Sequence, residues 1–358
     1  MSGPRLDVGQ WGEQRVAPGD SMDVAISLGR SYSGVEMRIP VHVWRAPTPG
    51  PTVFLTGAIH GDEINGTGSI RKLILEKPFA LVAGTLLLVP VVNVLGFERH
   101  SRYLPDRKDP NRCFPGSAEG SLSSRFASVV FREIVTRCDY GIDLHTASLR
   151  RTNFPNVRGD LTIPEVERLA RAFGCEVVVD SAGPQGAFRR EACKAGCPTI
   201  LLEAGEVWKV EPAVVEYTLR GVRNVLIELG MVEGRKTRPP YQVLVKQTRW
   251  LRSPEGGFLH FHVAPGELVR KGERIATVSG LLGAEHAVVD ATRTGIVVGM
   301  TTLPAVGPGD AICHLAYLTK KEALRVDRAM SSLPDHHLHE RMREDLASNV
   351  MVSGEDED

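Results

Sequence analysis

Residues 51–63 read PTVFLTGAIHGDE, an apolar run that passes straight into a glycine-containing turn. Its first half, Pro51–Ile59, is a short apolar run that breaks into a Gly-containing turn, the pattern of a buried β-strand. A helix is expected straight after it over Asn65–Leu75, where Ile70, Leu73 and Ile74 recur at helical spacing. Thr85–Val92 (TLLLVPVV) is then a second inner strand, too short for a buried helix. Upstream, Met37–Trp44 alternates like a strand, while residues 1–35 are polar and weakly patterned. Downstream the alternation continues. Ser121–Arg137 is an amphipathic helix with Ser121 placed to cap it, and Phe126, Val129, Val130 and Ile134 lie on one side. Strands follow at Tyr140–His145, Glu176–Asp180 and Pro198–Glu203, with helices at Pro164–Phe173, Phe188–Ala195 and Glu211–Leu229. Strands interleaved with helices over Val53–Gly230 describe an α/β fold, a mixed and mostly parallel sheet with helices on both faces. In such sheets functional residues gather where strands end.

The texture changes at Arg235–Pro240 (RKTRPP), a linker-like stretch. Beyond it, GGFLHFHVAPGELVRKGERIATV and TGIVVGMTTLPAVGPGDAICHL resemble each other, each a glycine-led strand, a Pro/Gly turn and a closing strand. They predict a smaller all-β domain of two related halves. The expected layout is an N-terminal extension (1–35), a catalytic domain (36–234), a β-rich C-terminal domain (235–320), and a helical segment with the acidic tail Ser353–Asp358 (321–358).

Composition narrows the function classes. In 358 residues, 42% are hydrophobic and 24% charged, which excludes wholesale disorder. Lys plus Arg (43) cancels Asp plus Glu (43), so no basic excess favours nucleic acid. No apolar run reaches the roughly 18 residues of a membrane span, and Met1–Asp20 has no apolar core to serve as a secretory signal. Six scattered cysteines read as reduced thiols in a cytoplasmic protein.

The chemistry concentrates at three strand ends. In GAIHGDE, His60 and Glu63 sit three residues apart in a tight turn, so an imidazole nitrogen and a carboxylate oxygen can converge on one ion. The bare His-x-x-Glu spacing is a weak signal; its Gly-rich setting at a strand end strengthens it. A third ligand is available at His145 in DLHTA, and Asp143, on the same strand face, can orient an imidazole. Zinc accepts these ligand types, and catalytic sites use three protein ligands; cobalt, manganese or iron would also suit them. Glu203, ending the apolar TILLE strand, is a candidate general base, with Glu206 as its rival. The long segment Asn93–Gly120 supplies Arg99, Arg102, Arg107, Lys108 and Arg112, whose guanidinium forks fit a carboxylate or an oxyanion.

In combination, GAIHGDE, the Arg102 segment SRYLPD, DPNRCFPG, DLHTA and LLEAGE resemble the succinylglutamate desuccinylase/aspartoacylase family, within the zinc carboxypeptidase A-like group. The resemblance covers about Pro51–Gly230, and the β-rich C-terminal part matches the family's layout. It implies one zinc ion bound by His60, Glu63 and His145, and Glu203 rather than Glu206 as the catalytic glutamate. Arg102 would polarise the scissile carbonyl, and Asn111 and Arg112 would hold the substrate carboxylate. Arg189 and Arg190 match more loosely as substrate-contacting arginines. Pro110 departs from the pattern, since many members carry leucine there, and the aspartoacylase acyl-pocket residues are not recognisable. The implied activity is hydrolysis of a small N-acyl amino acid or N-acyl diamino acid, with a metallocarboxypeptidase acting on short peptides as the alternative. A non-catalytic binding protein would be expected to have a damaged ligand set, and this set is whole.

The two C-terminal halves also look similar to biotinyl/lipoyl domains, yet no lysine lies between Lys271 and Lys320 to carry a cofactor. This part is expected instead to wall the active-site mouth or to build a homo-oligomer interface. His260 with His262, and Cys193 with Cys197, read as non-ligands. His336, His337 and His339 read as solvent-exposed residues of a charged tail helix.

Overall fold

A computed structural model of the chain describes residues 6–31, 33–332, 338–348 and 350. A short ribbon (β1, Gln10–Trp11; β2, Gln14–Arg15) precedes three ten-residue strands, β3 (Ser21–Arg30), β4 (Glu36–Arg45) and β5 (Thr48–Gly57). Then come α1 (Asn65–Glu76), β6 (Ala83–Val89), α2 (Val94–Phe97), α3 (Leu122–Ile134), β7 (Tyr140–His145) and β8 (Arg151–Gly159). They are followed by α4 (Pro164–Phe173), β9 (Val177–Asp180), α5 (Phe188–Lys194), β10 (Thr199–Glu206) and α6 (Pro212–Glu228). The C-terminal strands are β11 (Val243–Val245), β12 (Thr248–Arg252), β13 (Gly257–Phe261), β14 (Leu268–Val269), β15 (Arg274–Ser279), β16 (Glu285–Asp290), β17 (Gly295–Thr301), β18 (Ala305–Val306) and β19 (Ala311–Tyr317). Helices α7 (Lys320–Met330) and α8 (Leu338–Ala347) follow.

The main sheet runs β12-β19-β17-β8-β10-β7-β5-β6-β4-β3. Its centre, β10-β7-β5-β6, is parallel, and both flanks are antiparallel. The central strands are apolar on both faces because both are covered. Val53, Leu55, Leu86 and Leu88 face a core shared with Ile70 and Leu73 of α1, Leu169 of α4 and Tyr217 of α6. Phe54, Leu87 and Val89 face the opposite core, with Phe126 and Val130 of α3 and Phe188 of α5. This alternation along each strand sends neighbouring residues into different layers. Helix α3 carries the expected apolar face, but the Ser121 side chain does not cap it. Its hydroxyl accepts from Lys108 Nζ at 3.1 Å, and Asp106 accepts the Ser123 N–H at 3.1 Å instead.

The structure differs from the sequence reading in four further places. The segment read as weakly patterned contains β3, paired with β4 from Ser21↔Trp44 to Arg30↔Glu36, with Val24 and Ile26 buried. Strand β8 lies where no element was expected. The smaller all-β part expected at the C-terminus shares strands with the main sheet: β17 pairs with β8 and carries β19 and β12 into it. Among the C-terminal strands, β16-β15-β13-β18 form a separate sheet. Finally, His339 is buried at 1% exposure, because α8 turns His339, Met342 and Leu346 inward. His336, His337 and the acidic tail lie outside the described residues. No described helix is long and apolar enough to cross a membrane.

Candidate active site

Strand β5 ends at Gly57, and the chain turns sharply through Ala58, whose φ of 49° is rare outside glycine. At Gly61 the turn packs directly on another backbone. A Cβ there would lie 2.1 Å from Gly96 C and 2.2 Å from Phe97 N. This tight passage delivers His60 and Glu63 just before α1. Strand β7, hydrogen-bonded between β5 and β10, brings His145 to the same edge, and His145 is the register partner of Glu203.

All three candidate ligands are buried. His60 Nδ1 lies 2.7 Å from Glu63 Oε1, and His145 Nδ1 lies 2.7 Å from Glu63 Oε2. One ligand atom from each residue falls within 4.8 Å of the others. The outer ring nitrogens also face carboxylates: His60 Nε2 to Asp109 Oδ1 at 3.0 Å, and His145 Nε2 to Asp143 Oδ2 at 2.9 Å. Thr56 Oγ1 donates to the other Asp143 oxygen at 2.8 Å. With the outer nitrogens donating to these carboxylates, the inner nitrogens can turn lone pairs toward Glu63. Lone pairs 2.7 Å from a carboxylate need positive charge, as protons or as a metal ion. The electrostatics agree. Burial alone would push both imidazoles down and Glu63 up. The Glu63 charge together with the hydrogen bonds to Asp109 and Glu63 outweighs this for His60, and the charges and hydrogen bonds of Asp143 and Glu63 together outweigh it for His145, so both imidazoles lie above their ordinary value. The His60 and His145 charges hold Glu63 well below the usual carboxylate range. This donor set fits a divalent cation.

Glu203 stands opposite, near the end of β10. Asn153 Nδ2 donates to Glu203 Oε2 at 3.0 Å, and Arg158 Nη1 lies 3.6 Å from Oε1. Glu206 is engaged elsewhere, accepting from Thr302 Oγ1 at 2.9 Å and pairing with Lys209 at 2.8 Å. Arg102 spans Glu63 Oε1 (2.9 Å) and Asp109 Oδ2 (3.1 Å). Asp109, which sequence reading did not single out, thus joins His60, Arg102 and the Asn111 N–H (2.8 Å). Asn111 Oδ1 accepts the Phe188 N–H at 2.7 Å, tying the long segment to the start of α5, and Arg112 is exposed at the cavity rim.

A cavity of about 280 Å³ joins these groups. His60, Glu63, His145, Glu203, Arg102, Asn111, Arg112 and Arg189 all border it. Arg190 does not. Adjacent positions on α5 point about 100° apart, and Arg190 donates to Gly183 O at 2.9 Å without itself lining the cavity. Arg189 is buried and donates to Ser181 O at 2.8 Å. Burial and the Arg158 charge push its pKa down to about 10, against the pull of Glu203. Sequence reading missed the wall formed by Arg151, Asn153 and Arg158 of β8, Trp250 of β12 and His314 of β19. The only local signal was the run of polar residues in RTNFPNVRG.

The family model of the succinylglutamate desuccinylase/aspartoacylase catalytic domain matches residues 49–229, half of the chain. A curated relative, the N-alpha-acetyl-L-2,4-diaminobutyric acid deacetylase of Halomonas elongata, is 29% identical over 309 residues, covering 82% of this chain and 90% of its own. A solved succinylglutamate desuccinylase/aspartoacylase from Rhodobacter sphaeroides is 26% identical with a TM-score of 0.70, covering 83% of this chain and 94% of that one. The product-bound ectoine utilization protein EutE (DoeB) from Ruegeria pomeroyi, 24% identical, shares the fold at a TM-score of 0.72 over 84% of this chain and 98% of its own. The chain belongs to the succinylglutamate desuccinylase/aspartoacylase family of amide-bond hydrolases.

Proposed function

We propose that this protein is a zinc-dependent deacylase of small N-acyl amino acids. The observation that carries the reading is the convergence of three buried ligand atoms, with Glu203 across a cavity of about 280 Å³. His60, Glu63 and His145 would hold the zinc. When bound, zinc supplies Lewis acidity, polarising an acyl carbonyl and acidifying water.

The chain's own groups do the rest. The carboxylate of Glu203 takes a proton from the attacking water as the carbon–oxygen bond forms. It then gives that proton to the amine nitrogen as the carbon–nitrogen bond breaks, leaving a carboxylic acid and an amine, which settle as carboxylate and ammonium when the acid's proton passes to the amine. Asn153 holds Glu203 Oε2 in one orientation. Arg102, steadied by Glu63 and Asp109, keeps further N–H groups for the developing oxyanion. Arg112 grips the α-carboxylate through its planar fork, beside Asn111. Asp143 and Asp109 fix the two imidazoles. Both an N-acetyl diamino acid, as named for the Halomonas relative, and an N-acyl dicarboxylic amino acid fall within this class.

The alternative, removal of C-terminal residues from peptides, needs an open groove. Here Trp250 and His314 wall the cavity, which favours a small substrate. The test is amine release from N-acetyl, N-succinyl and N-formyl amino acids by zinc-loaded protein, abolished by a chelator and restored by zinc. Release of C-terminal residues from short peptides, with every N-acyl amino acid left intact, would replace this reading with the carboxypeptidase one.

A further inference from the structure

Just past Glu203 the backbone of β10 takes a left-handed conformation at Gly205 (φ 75°), and the ladder with β8 shifts there. Glu203 stands opposite Asn156, so an unbroken register would set Phe154 opposite Gly205; Asn153 stands there instead. Side chains alternate along a strand, so this slip is what turns Asn153, and not Phe154, to the face that carries Glu203. The 3.0 Å bond from Asn153 Nδ2 to Glu203 Oε2 therefore depends on the backbone at Gly205.

Two polar side chains that do not border the cavity, Glu211 and Asn65, hold that backbone. Glu211, the residue before α6, turns its carboxylate back onto the kink, and a Cβ at Gly205 would lie 2.1 Å from its Oε2. The same oxygen accepts the Glu206 N–H at 3.0 Å and Asn65 Nδ2 at 2.7 Å. Asn65 also accepts: its Oδ1 takes the Glu211 N–H at 2.8 Å, and its Nδ2 lies 3.4 Å from Glu206 O. Asn65 is buried at the first position of α1, just after the turn that carries His60 and Glu63. Alongside, the Trp208 N–H donates to Asp62 O at 2.9 Å, and the Ala147 N–H, just past β7, donates to Gly205 O at 3.0 Å. The ligand turn, the end of β7 and the end of β10 are thus stitched to one another. A buried amide that uses both its donor and its acceptor is locked in one orientation, so the stitch is stiff.

We propose that Glu211 and Asn65 are positioning residues for Glu203: by fixing Gly205 in its left-handed conformation they aim Asn153 at the carboxylate and tie the strand of Glu203 to the turn of His60 and Glu63. The inference rests on the deacylase reading for Glu203 as the proton carrier. A misplacement of about 1 Å can cost about 100-fold in rate, so a loosened clamp shows in kcat rather than in substrate affinity.

Reach and charge separate at Glu211. Glu211→Asp keeps the charge and a favourable residue before a helix, but its carboxylate stops a methylene short of the Glu206 N–H. Glu211→Gln keeps an oxygen at full reach and gives up the charge. On zinc-loaded protein, with the N-acyl amino acid it hydrolyses fastest, Glu211→Asp and Asn65→Ala should each lower kcat about tenfold with KM within about twofold, and Glu211→Gln should lose at most about threefold. In a Glu203→Gln background the first two substitutions should each cost less than about twofold, because they act through the group already removed. If Asn65→Ala does not fold, the Glu211 pair decides. In a crystal structure of Glu211→Asp, the Asn153 amide should leave hydrogen-bond distance of Glu203 while His60, Glu63 and His145 keep their places. Equal losses in the Asp and Gln variants, or the same loss with and without Glu203, overturn the proposal, since charge balance or general folding predicts them. So does a Glu211→Asp structure in which Asn153 and Glu203 stay bonded, a comparison that needs no turnover. If the native protein releases C-terminal residues from peptides and leaves N-acyl amino acids intact, the deacylase reading falls and the same series on the peptide decides the clamp.

Discussion

Replacing Glu203 by Gln isolates the proposed proton carrier from everything else at the site. The amide keeps the shape of the side chain, and its oxygen can still accept from Asn153 Nδ2, now at 3.0 Å from the carboxylate. What is lost structurally is the attraction to Arg158 at 3.6 Å, a pair with side chains 24% and 17% exposed. Such a partly solvated pair contributes at most about 1 kcal/mol, so folding and the His60–Glu63–His145 cluster should survive. What is lost chemically is the base. General acid–base catalysis contributes about 100- to 10,000-fold, or about 2.7–5.4 kcal/mol of barrier. The expected result is therefore a kcat lower by at least about 100-fold, with zinc content and thermal stability nearly unchanged. Stopped amine-release assays, metal analysis and thermal melts read the three quantities. Glu206→Gln is the matched control. Its carboxylate is bound to Thr302 and Lys209 and does not border the cavity, so kcat should stay within about threefold. A Glu203→Gln enzyme retaining more than a tenth of kcat, or a larger loss in Glu206→Gln, would refute the assignment.

Asp143→Asn replaces an acceptor held by His145 and Thr56, and zinc affinity should fall about 10- to 100-fold in chelator competition; unchanged affinity would show that Asp143 does not orient the ligand. A Cβ at Gly299 would lie 2.7 Å from Asn153 Oδ1, so Gly299→Ala should push that amide off Glu203. The loss of a charged hydrogen bond predicts kcat/KM down about tenfold with little change in melting temperature, and an unaltered kcat/KM would count against Asn153 as the positioning group. Glu176 is fully buried beneath α8. Burial pushes its pKa up, but His339, Arg220 and the donating Tyr217 hydroxyl together hold it below the ordinary 4.5. A depressed folded-state value stabilises the protein above pH 4.5, and that contribution is lost as pH falls through the folded value. The stability gap between the native sequence and Glu176→Gln should therefore hold steady above about pH 5 and narrow as pH falls below 4.5 in urea titrations; a constant gap would exclude Glu176 from acid unfolding.

The chemistry was legible because its residues sit at the ends of strands with strong local signals. GAIHGDE, DLH and TILLE each announce a buried strand and the polar residue that ends it, and parallel pairing of β5, β7 and β10 brings those ends to one edge. Strand β8 gave no such signal. Two of its residues, Phe154 and Pro155, stand opposite Ala204 alone, between the pairs Glu203↔Asn156 and Gly205↔Asn153. That bulge admits a proline into an inner strand and breaks the alternation a sequence reading relies on. The inward face of α8 was legible in principle, since His339, Met342 and Leu346 follow helical spacing, but the surrounding charges obscured it. The positions of Trp250 and His314 depend on long-range pairing of β12 with β19 and of β17 with β8. No local pattern encodes that.

The same strand order separates two tasks. The ligand atoms and Glu203 come from β5, β7, β10 and the turn after β5, which the parallel core holds on both faces. The cationic wall comes from β8, β12 and β19, which the C-terminal layer supports. Strand β8 belongs to both, since Asn153 touches Glu203 while Arg158 and Arg151 face the cavity. Substitutions at Trp250 or His314 can therefore reshape the wall without moving a ligand strand, whereas a change in β8 alters wall and base together. Substrate choice in this architecture is adjusted most freely from the C-terminal strands, and least freely from β8.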